Sequence, residues 1–291
     1  MSQQIEEAFQ LTYAQVVEHL LQEKGSKLER TVMVRNGCSG TRFKAINQIG
    51  SRTAQQLTSR HTPTAYTDTP HSSRWVVPHH YVDADLFDEE DDLESLIDPT
   101  NDYAMAQAEA IGRAKDAAII DALDGDAVTG QDGTDTTAFD SSNQQVASGS
   151  TGLNTDKLEE AMQILLEANV DPTREEMFVL VAPKQHNEML NQTKAISQDY
   201  MPAPVLQDGL IGRYAGFNFV LMNSLPKVGN DRYCFAYPKS AIRFCNWGPG
   251  IRARMDVMPN LNYSTQVHTK ASFGAVRSEE GKVVRILCDE S

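Results

Sequence analysis

The chain has 291 residues, of which 40% are hydrophobic and 23% charged, a balance that is typical of folded proteins and excludes wholesale disorder. Its formal net charge of −14 disfavours binding to a phosphate backbone unless the fold keeps a local basic patch. The four cysteines lack metal-site spacing and are too sparse for a disulfide framework. No apolar run approaches the ~20 residues that span a bilayer, and the polar N-terminus is unlike a signal peptide, so we expect a protein made in the cytoplasm.

Residues 3–24 are predicted to form an amphipathic helix that Gly25 ends. An apolar stripe at one end of a chain has to be buried against something. Docking on its own domain and docking on a neighbouring subunit both fit the pattern, and the two alternatives stay open. The stripe consists of residues that recur at helical spacing, namely Ile5, Phe9, Tyr13, Val16, Val17, Leu20 and Leu21.

Residues 28–82 contain few apolar side chains with which to build a core of their own. They nevertheless show strand patterns, and an Asn-Gly pair of the kind that is typical of hairpin turns. We therefore predict a long two-stranded arm that needs a partner. Its parts are strands at 31–35, 42–46 and 74–78, a turn at 36–40 and a polar stretch at 51–73.

Charge is segregated along this part of the chain. Residues 24–60 hold eight basic side chains against one glutamate, whereas residues 83–102 hold ten acidic side chains and no basic one. An acidic run is often just a solvated surface, but opposed charges also set the register between subunits. We hypothesise that the basic arm of one subunit lies across the acidic run of the next. The hypothesis pairs Arg35, Arg42, Lys44 and Arg52 with Asp88, Glu89, Glu90, Asp91 and Asp92 of a neighbour.

The clearest helix is predicted at residues 98–123. Asp98-Pro99 supplies a cap and a first-turn proline, and the alanine-rich sequence that follows has high helix propensity. So much alanine favours a thin, rigid strut over a core helix. Residues 124–154 are rich in Gly, Ser, Thr and Asp, and this composition predicts a long loop.

The remaining elements are partly interleaved and partly segregated. A helix is predicted at 155–169, a buried strand at 177–181 and a short helix ending near residue 190. From about residue 209 to the end, the pattern is mostly strands and glycine turns. This order predicts an α+β fold.

None of the familiar catalytic or cofactor-binding motifs occurs in the sequence. His79 and His80 are adjacent, and neighbouring strand residues point to opposite faces, which makes a poor metal site. The aspartate-rich residues 124–135 lack the ligand spacing of a calcium loop. The unbroken acidic run at 83–102 offers no means of separating an acid from a base. We therefore predict no catalytic residues, no metal, no cofactor and no enzyme activity.

Three segments of the C-terminal half resemble the major capsid proteins of tailed bacteriophages. Residues 209–226 run from glycine turns into a strand and end in Leu-Pro, and Gly212 and Gly216 are expected to allow sharp turns. Residues 235–242 resemble a strand followed by a small-residue turn, and residues 271–286 resemble a closing hairpin. The residues that carry the likeness are Gly209, Gly212, Gly216, Leu225, Pro226 and Gly274.

The resemblance implies the phage major capsid fold of the Hong Kong 97 type, which is α+β. It covers nearly the whole chain, because the segment order agrees as well. The implied parts are an N-terminal arm (1–27), an extended loop (28–82), a peripheral domain with the long spine helix (83–195, helix 98–123), an axial domain (196–261) and return strands of the peripheral domain (262–291).

The same resemblance implies a structural function. Copies of the chain are expected to assemble, as hexamers and pentamers, into the icosahedral head shell that encloses double-stranded DNA without sequence-specific binding. Further implied partners are a scaffolding protein, a portal and a decoration protein. The expected location is the virion, after assembly in the host cytoplasm and without a membrane.

Two other functions fit the sequence less well. One is the shell of an encapsulin-type compartment, which shares the fold but encloses enzymes. The other is a soluble enzyme with an unrecognised site. Some relatives crosslink a lysine to an asparagine, but no motif here joins Lys44 to Asn260 or Asn262, so a crosslink is not predicted.

Overall fold

The computed structural model describes residues 25–54, 56, 66, 68–87, 100–192, 206–207, 210–248, 250–261 and 263–291. The predicted N-terminal helix lies outside these residues. So do the Asp98-Pro99 cap, the acidic residues 88–92, Gly209 and Asn262.

The described residues form an α+β structure, as predicted. Its α-helices are α1 (Thr100–Asp124), α2 (Thr155–Glu167) and α3 (Pro183–Leu190). Its strands are β1 (Met33–Cys38), β2 (Phe43–Ile49), β3 (His71–Val76), β4 (His79–Phe87), β5 (Ala127–Thr129), β6 (Asp135–Thr137), β7 (Gln145–Val146), β8 (Met177–Val181), β9 (Leu206–Gln207), β10 (Leu210–Ile211), β11 (Arg213–Tyr214), β12 (Phe217–Leu221), β13 (Lys227–Val228), β14 (Asp231–Pro238), β15 (Ile242–Trp247), β16 (Arg252–Met258), β17 (Ser264–Arg277) and β18 (Val284–Asp289).

A seven-stranded sheet holds much of the hydrophobic core. Its order is β11-β12-β8-β14-β18-β7, and β13 pairs with β14. The β12–β8 and β18–β7 pairs are parallel, and the other pairs are antiparallel. All five residues of β8 are buried, because this apolar strand has neighbours on both edges and is covered on both faces. The strand predicted at 177–181 is therefore confirmed.

A five-stranded sheet is built around β17, which is 14 residues long. β15 and β16 follow one another along one edge of β17, β4 pairs with the other edge, and β1 lies parallel to β15. α1 packs along one face of β17, where Thr269 Oγ1 donates a hydrogen bond to Gln107 Oε1 at 2.7 Å. Ile119 and Leu123 of α1 are fully buried. The long helix is confirmed, but one side of it belongs to the core, so the expectation of a strut outside the core is wrong.

The predicted two-stranded arm is formed by β2 and β3, which pair in antiparallel register. It is the start of a four-stranded sheet in the order β2-β3-β5-β6. The prediction of a plain loop at 124–154 is therefore wrong in part, because this segment supplies β5, β6 and β7. Strands of two or three residues are too short to carry an alternating pattern. β5 is ordered by pairing with β3, β6 by pairing with β5, and β7 by pairing with β18.

Two predicted hairpins do not form. β1 and β2 flank the predicted turn, but β1 pairs with β15 and β2 with β3. Likewise β17 and β18 belong to different sheets, so residues 271–286 cross between sheets and do not close a hairpin. Consecutive strands pair often but not always, and a strand pattern alone does not name its partner.

The signature glycines have different roles. Ala215 and Gly216, with φ of 48° and 85°, make the two-residue turn between β11 and β12. Gly212 does not adopt the left-handed conformation that would require a glycine at this position. Gly274 lies inside β17, not in a turn, and a Cβ atom there would stand 2.3 Å from the carbonyl oxygen of Val77. Because Gly274 has no side chain, the backbone of β17 can lie close to the backbone of Val77.

The sheets divide the predicted axial segment, 196–261. β12 and β14 lie in the seven-stranded sheet, whereas β15 and β16 lie in the five-stranded sheet. The domain boundaries stay a prediction. Leu225 is buried, and the Pro226 carbonyl accepts a hydrogen bond from the Tyr233 amide at 3.0 Å, so the Leu-Pro end of the resembling segment anchors β14.

Candidate subunit interface

The arm is attached to the body by hydrogen bonds at its base. Gln48 Nε2 and Arg74 Nε both donate to the carbonyl oxygen of Ser278, at 2.7 and 2.8 Å. Arg74 also forms an ion pair with Glu280 at 2.8 Å, and the Arg74 side chain is only 9% exposed. Both strands of the arm are thus tied to the segment that connects β17 and β18, which fixes the direction in which the arm leaves the body.

Arg277 is the buried centre of this attachment. Its side chain is fully buried and donates to the carbonyl oxygens of Leu123 and Gly125 at 3.1 and 2.8 Å, so it caps the C-terminal end of α1. Its guanidinium also lies 5.5 Å from the ring centre of Phe139. Burial lowers the pKa of Arg277, and the nearby carboxylate of Glu280 opposes that shift. No sequence motif marked this residue.

The four predicted basic contact residues lie on β1, on β2 and on the loops beside β2. Arg42 donates to the carbonyl oxygens of Asp132 and Gly133, next to β5 and β6. Arg35 lies 4.8 Å from the ring centre of Phe43, and Lys44 lies 5.5 Å from that of Trp75. Arg52 is exposed beyond β2. All four are solvent-exposed, and their predicted acidic partners lie outside the described residues, so the pairing stays a prediction.

A second exposed surface is formed by β4, β16 and the part of β17 between them, which we call the sheet extension (residues 79–87, 252–258 and 264–273). On the face away from α1, its side chains line a groove of about 390 Å³. The strand register places Arg252 beside Lys270 and Arg254 beside His268. The side chains that line the groove are Arg252, Arg254, Asp256, Gln266, His268 and Lys270.

This groove is a local basic patch on a chain of net charge −14. In the part of the chain that the structure describes, Arg252, Arg254 and Lys270 form no ion pair. Sequence reasoning missed the patch, because its charges come from two strands. The signal present in the sequence was the alternation of charged with uncharged residues in β16, which is typical of one strand face.

The extension also exposes large apolar side chains. Val82 and Leu86 of β4 are 57% and 45% exposed, and Met255 and Val257 of β16 are 59% and 55% exposed. Val82 and Leu86 lie on the face of the groove, whereas Met255 and Val257 lie on the face against which α1 packs, so each face of the extension exposes two apolar side chains. Exposed apolar side chains are typical of surfaces that bind another protein. The extension and the arm are therefore the two candidate contact surfaces.

The described residues of the candidate chemical sites do not assemble into a metal site. Among the described residues, no group of three or more His, Cys, Asp and Glu side chains is arranged to hold a metal ion. His80 Nδ1 lies 2.7 Å from Ser272 Oγ, on the strand pair β4–β17. Within the same described ranges, no helix is long and apolar enough to cross a membrane.

All four cysteines are free and buried. The Cys288 thiol and burial together raise the pKa of Cys234 well above its ordinary value. Burial and the Cys38 thiol raise the pKa of Cys245 to about 12. Thiols with raised pKa values are poor nucleophiles, so Cys234 and Cys245 are packing residues.

A family model described as phage capsid protein matches residues 5–290. The chain belongs to this phage capsid protein family. The fold agrees with solved structures of low sequence identity. The capsid of cyanophage P-SCSP1u aligns at a TM-score of 0.76 and 14% identity, covering 99% of this chain and 95% of that one. No curated protein sequence matches the chain.

Two further phage capsids show the same fold. The capsid of Ralstonia phage GP4 has a TM-score of 0.73 and 9% identity, covering 98% of this chain and 96% of that one. The capsid of cyanophage Pam1 has a TM-score of 0.72 and 14% identity, covering 98% and 97%. The resemblance predicted from residues 209–226, 235–242 and 271–286 is confirmed at the level of family and fold. A member of this family is a structural protein of the virion.

Proposed function

We propose that copies of this capsid protein assemble into the icosahedral head shell that encloses double-stranded phage DNA. The geometry of the arm formed by β2 and β3 carries the proposal. The arm is attached to the body through Ser278 and Glu280, but much of its surface remains exposed to solvent. Ile49, at the end of β2, is 69% exposed, and Tyr66, in the segment between the two strands, is 94% exposed. A fixed arm with exposed apolar side chains is suited to overlap with a neighbouring copy.

The stability of such a shell comes from many copies of the same weak contact. Each contact between arms and bodies is weak alone, but closure of the shell makes the contacts multivalent. We infer that hexamers and pentamers are the capsomers, and that a scaffolding protein, a portal and a decoration protein are the further partners. Assembly would take place in the host cytoplasm. The net charge of −14 fits a container that holds DNA without adhering to it.

The proposed contact between subunits pairs the basic arm with the acidic run of a neighbour. Arg35, Arg42 and Lys44 have ring or carbonyl partners in their own chain, but all three remain exposed. A guanidinium or ammonium group on an aromatic ring keeps free N–H donors for a carboxylate. Charge pairing at an exposed surface sets register and encounter rate more than affinity.

Electron microscopy and light scattering of the purified full-length chain test the proposal. The expected result is closed, hollow particles tens of nanometres across, alone or after co-expression with the proteins encoded beside it. A stable monomer or dimer under all of these conditions would refute it. Portal and terminase genes nearby support a phage head, whereas a cargo-enzyme gene nearby would support the compartment instead.

A further inference from the structure

β16 is an edge strand of the five-stranded sheet. β17 lies along one of its edges in antiparallel register, and no strand in the described ranges pairs with the other edge. Six of the seven residues of β16 are exposed. An open edge presents backbone N–H and C=O groups without strand partners, so it is a template for a strand from another chain.

The two faces of β16 differ in chemistry. Arg252, Arg254 and Asp256 line the groove on the face away from α1. Met255 and Val257 alternate with them on the α1 face, where they remain 59% and 55% exposed. Charged residues on an edge oppose pairing unless the added strand supplies the opposite charge. A strand that binds here therefore has to match the charges on one face and the apolar side chains on the other.

A second copy of β16 meets both requirements. When two copies of this seven-residue strand pair over their full length in antiparallel register, Met255 lies opposite its own counterpart on a twofold axis. Arg254 then lies opposite Asp256 of the partner subunit, and symmetry repeats the pair. On the other face, Ala253 lies opposite Val257 of the partner subunit. Within one copy, no ion pair among the described residues occupies Arg254 or Asp256.

The neighbouring registers lack this match. Opposed residues must point to the same face, so the next possible registers are centred one residue to either side. Centring on Arg254 sets two arginines opposite each other, and centring on Asp256 sets two aspartates opposite each other. Like charges at directly opposed positions are destabilising. The register centred on Met255 thus combines the longest pairing with opposite charges.

β4 lies at the other edge of this sheet, but it matches β16 less well. Its acidic residues Asp83 and Asp85 pair with Thr269 and Val267 of β17 and lie on the α1 face. In a closed shell every copy turns the same face outward, so the faces of two joined sheets stay aligned. A β4 strand added to β16 would then place its carboxylates beside apolar side chains such as Met255 and not beside arginines.

We propose that β16 is a contact strand between two copies of this chain, which pair antiparallel along their open edges with Met255 on the twofold axis and Arg254 of each copy bound to Asp256 of the other. Contacts around a hexamer or pentamer run head to tail, so this isologous contact would join two neighbouring capsomers. That placement rests on the proposed shell, whereas the strand pairing can be measured without a shell.

Disulfide crosslinking at the twofold axis tests the register. Directly opposed residues of an antiparallel pair have Cα atoms about 4.5–5.5 Å apart, which is within the span of a disulfide. The full-length Met255→Cys variant is therefore expected to form disulfide-linked dimers on mild oxidation. The four natural cysteines are buried and do not compete.

Val257→Cys is the matched control, because this position is 55% exposed on the same face of the same strand. In the proposed register it lies four residues from its own counterpart, or about 14 Å along the strands, so it should not crosslink to itself. A chain that carries both Ala253→Cys and Val257→Cys should crosslink, because these two positions are opposed.

Non-reducing electrophoresis of assembled shells, and of concentrated dispersed subunits, separates the outcomes. Dimers of Met255→Cys and of the Ala253→Cys/Val257→Cys chain, with few dimers of Val257→Cys, support the proposal. Absence of Met255→Cys dimers, or equal yields from the two single variants, would overturn it. If no shell forms, the shell proposal fails, and crosslinking of the dispersed subunits still decides the strand pairing.

Charge exchange supplies a second readout in the Met255→Cys background. Arg254→Asp or Asp256→Arg alone sets like charges opposite each other at two symmetric positions, so the dimer yield is expected to fall about tenfold. Both changes in one chain restore opposite charges and should restore the yield. A mixture of the two single variants should also crosslink, because each supplies the charge that the other lacks. Failure of either restoration would contradict the proposed pairing.

Discussion

The seven-stranded sheet and the sheet extension contain strands of opposite burial, and β8 and β16 show the contrast. All five residues of β8 are buried, whereas six of the seven residues of β16 are exposed. β8 has neighbours on both edges, and β16 has β17 on one edge. The sheet around β8 is stable through its own packing. The extension and the arm present surface that a single copy leaves in water, and this is the feature expected of a part that meets other copies.

The difference shows how one chain can be both a folded unit and a building block. The core around Phe217, Phe235 and Ile286 supplies stability that does not depend on neighbours. The arm and the extension contribute less to that stability and more to contact. Mutations in the two kinds of region should therefore separate unfolding free energy from assembly.

The largest effect on stability is expected where the two regions are joined, at Arg277. Arg277→Met removes the hydrogen bonds that cap α1 and leaves buried carbonyl oxygens of Leu123 and Gly125 without a donor. We expect the free energy of unfolding to fall by about 3–5 kcal/mol in chemical denaturation. Arg174→Met is the control, because the Arg174 side chain is 85% exposed and should matter by less than about 0.5 kcal/mol. A fall below about 1 kcal/mol for Arg277→Met would show that the junction is not a structural centre.

The next effect is expected at Gly274. Gly274→Ala places a Cβ atom against the carbonyl oxygen of Val77, so the backbones of β17 and the β3–β4 connection must separate. The expected loss is about 1–3 kcal/mol of unfolding free energy. Gly212→Ala is the matched control, since a Cβ atom there meets nothing within 4 Å. Equal stability of the two variants would mean that the close approach at Gly274 carries no energy.

A smaller effect concerns the pH dependence of the seven-stranded region. Burial raises the pKa of Glu290, but hydrogen bonds from Arg232, Lys227 and Gln185 outweigh it and lower the pKa to about 2. A lowered carboxyl pKa stabilises the fold above the unfolded-state value of ~4.3, and this stability is lost as the pH falls toward 2.

The comparison of wild type with Glu290→Gln isolates this contribution. The wild type should be the more stable of the two by a constant amount above about pH 5, and the advantage should shrink steadily between pH 4.3 and 2. Denaturant unfolding at each pH gives the two curves. An advantage that does not change over this range would show that the carboxylate is not the group responsible.

The smallest effect on stability, and a large one on assembly, is expected from the acidic run. Reversal of Asp88, Asp91 and Asp92 to lysine should change the unfolding free energy of a single copy by less than about 0.5 kcal/mol, because the predicted partners of these charges belong to a neighbouring copy. Shell yield by sedimentation should fall. Combination with Arg42→Glu and Lys44→Glu should restore part of the yield. Normal shells with unchanged salt sensitivity would contradict the predicted contact.

The sequence predicted elements that have strong local patterns. The alanine-rich helix, predicted at 98–123 and found at Thr100–Asp124, and the apolar strand at 177–181 need no partner to be recognised, and both are confirmed. The resemblance to the family also rests on a local pattern, because residues 209–226 contain the Ala215-Gly216 turn.

The sequence did not predict pairing partners, because pairing depends on tertiary contacts. The composition of residues 124–154 predicts a loop where β5 and β6 form, and neither β1 nor β15 alone indicates that the two strands pair. The sequence predicts only one of the two candidate contact surfaces, because the other depends on strand pairing. The basic arm follows from a run of charges in one segment, whereas the Arg252–Lys270 patch joins two strands in space.

Hydrogen exchange of dispersed subunits and assembled shells tests the central claim most directly. We expect the gain of amide protection on assembly to fall on β2, β4, β16 and the first two residues of β3, because these segments are exposed or half-exposed in the single copy. β8 and β18 should be protected equally in both states. A gain spread over the seven-stranded sheet, or none in the arm and the extension, would contradict the account.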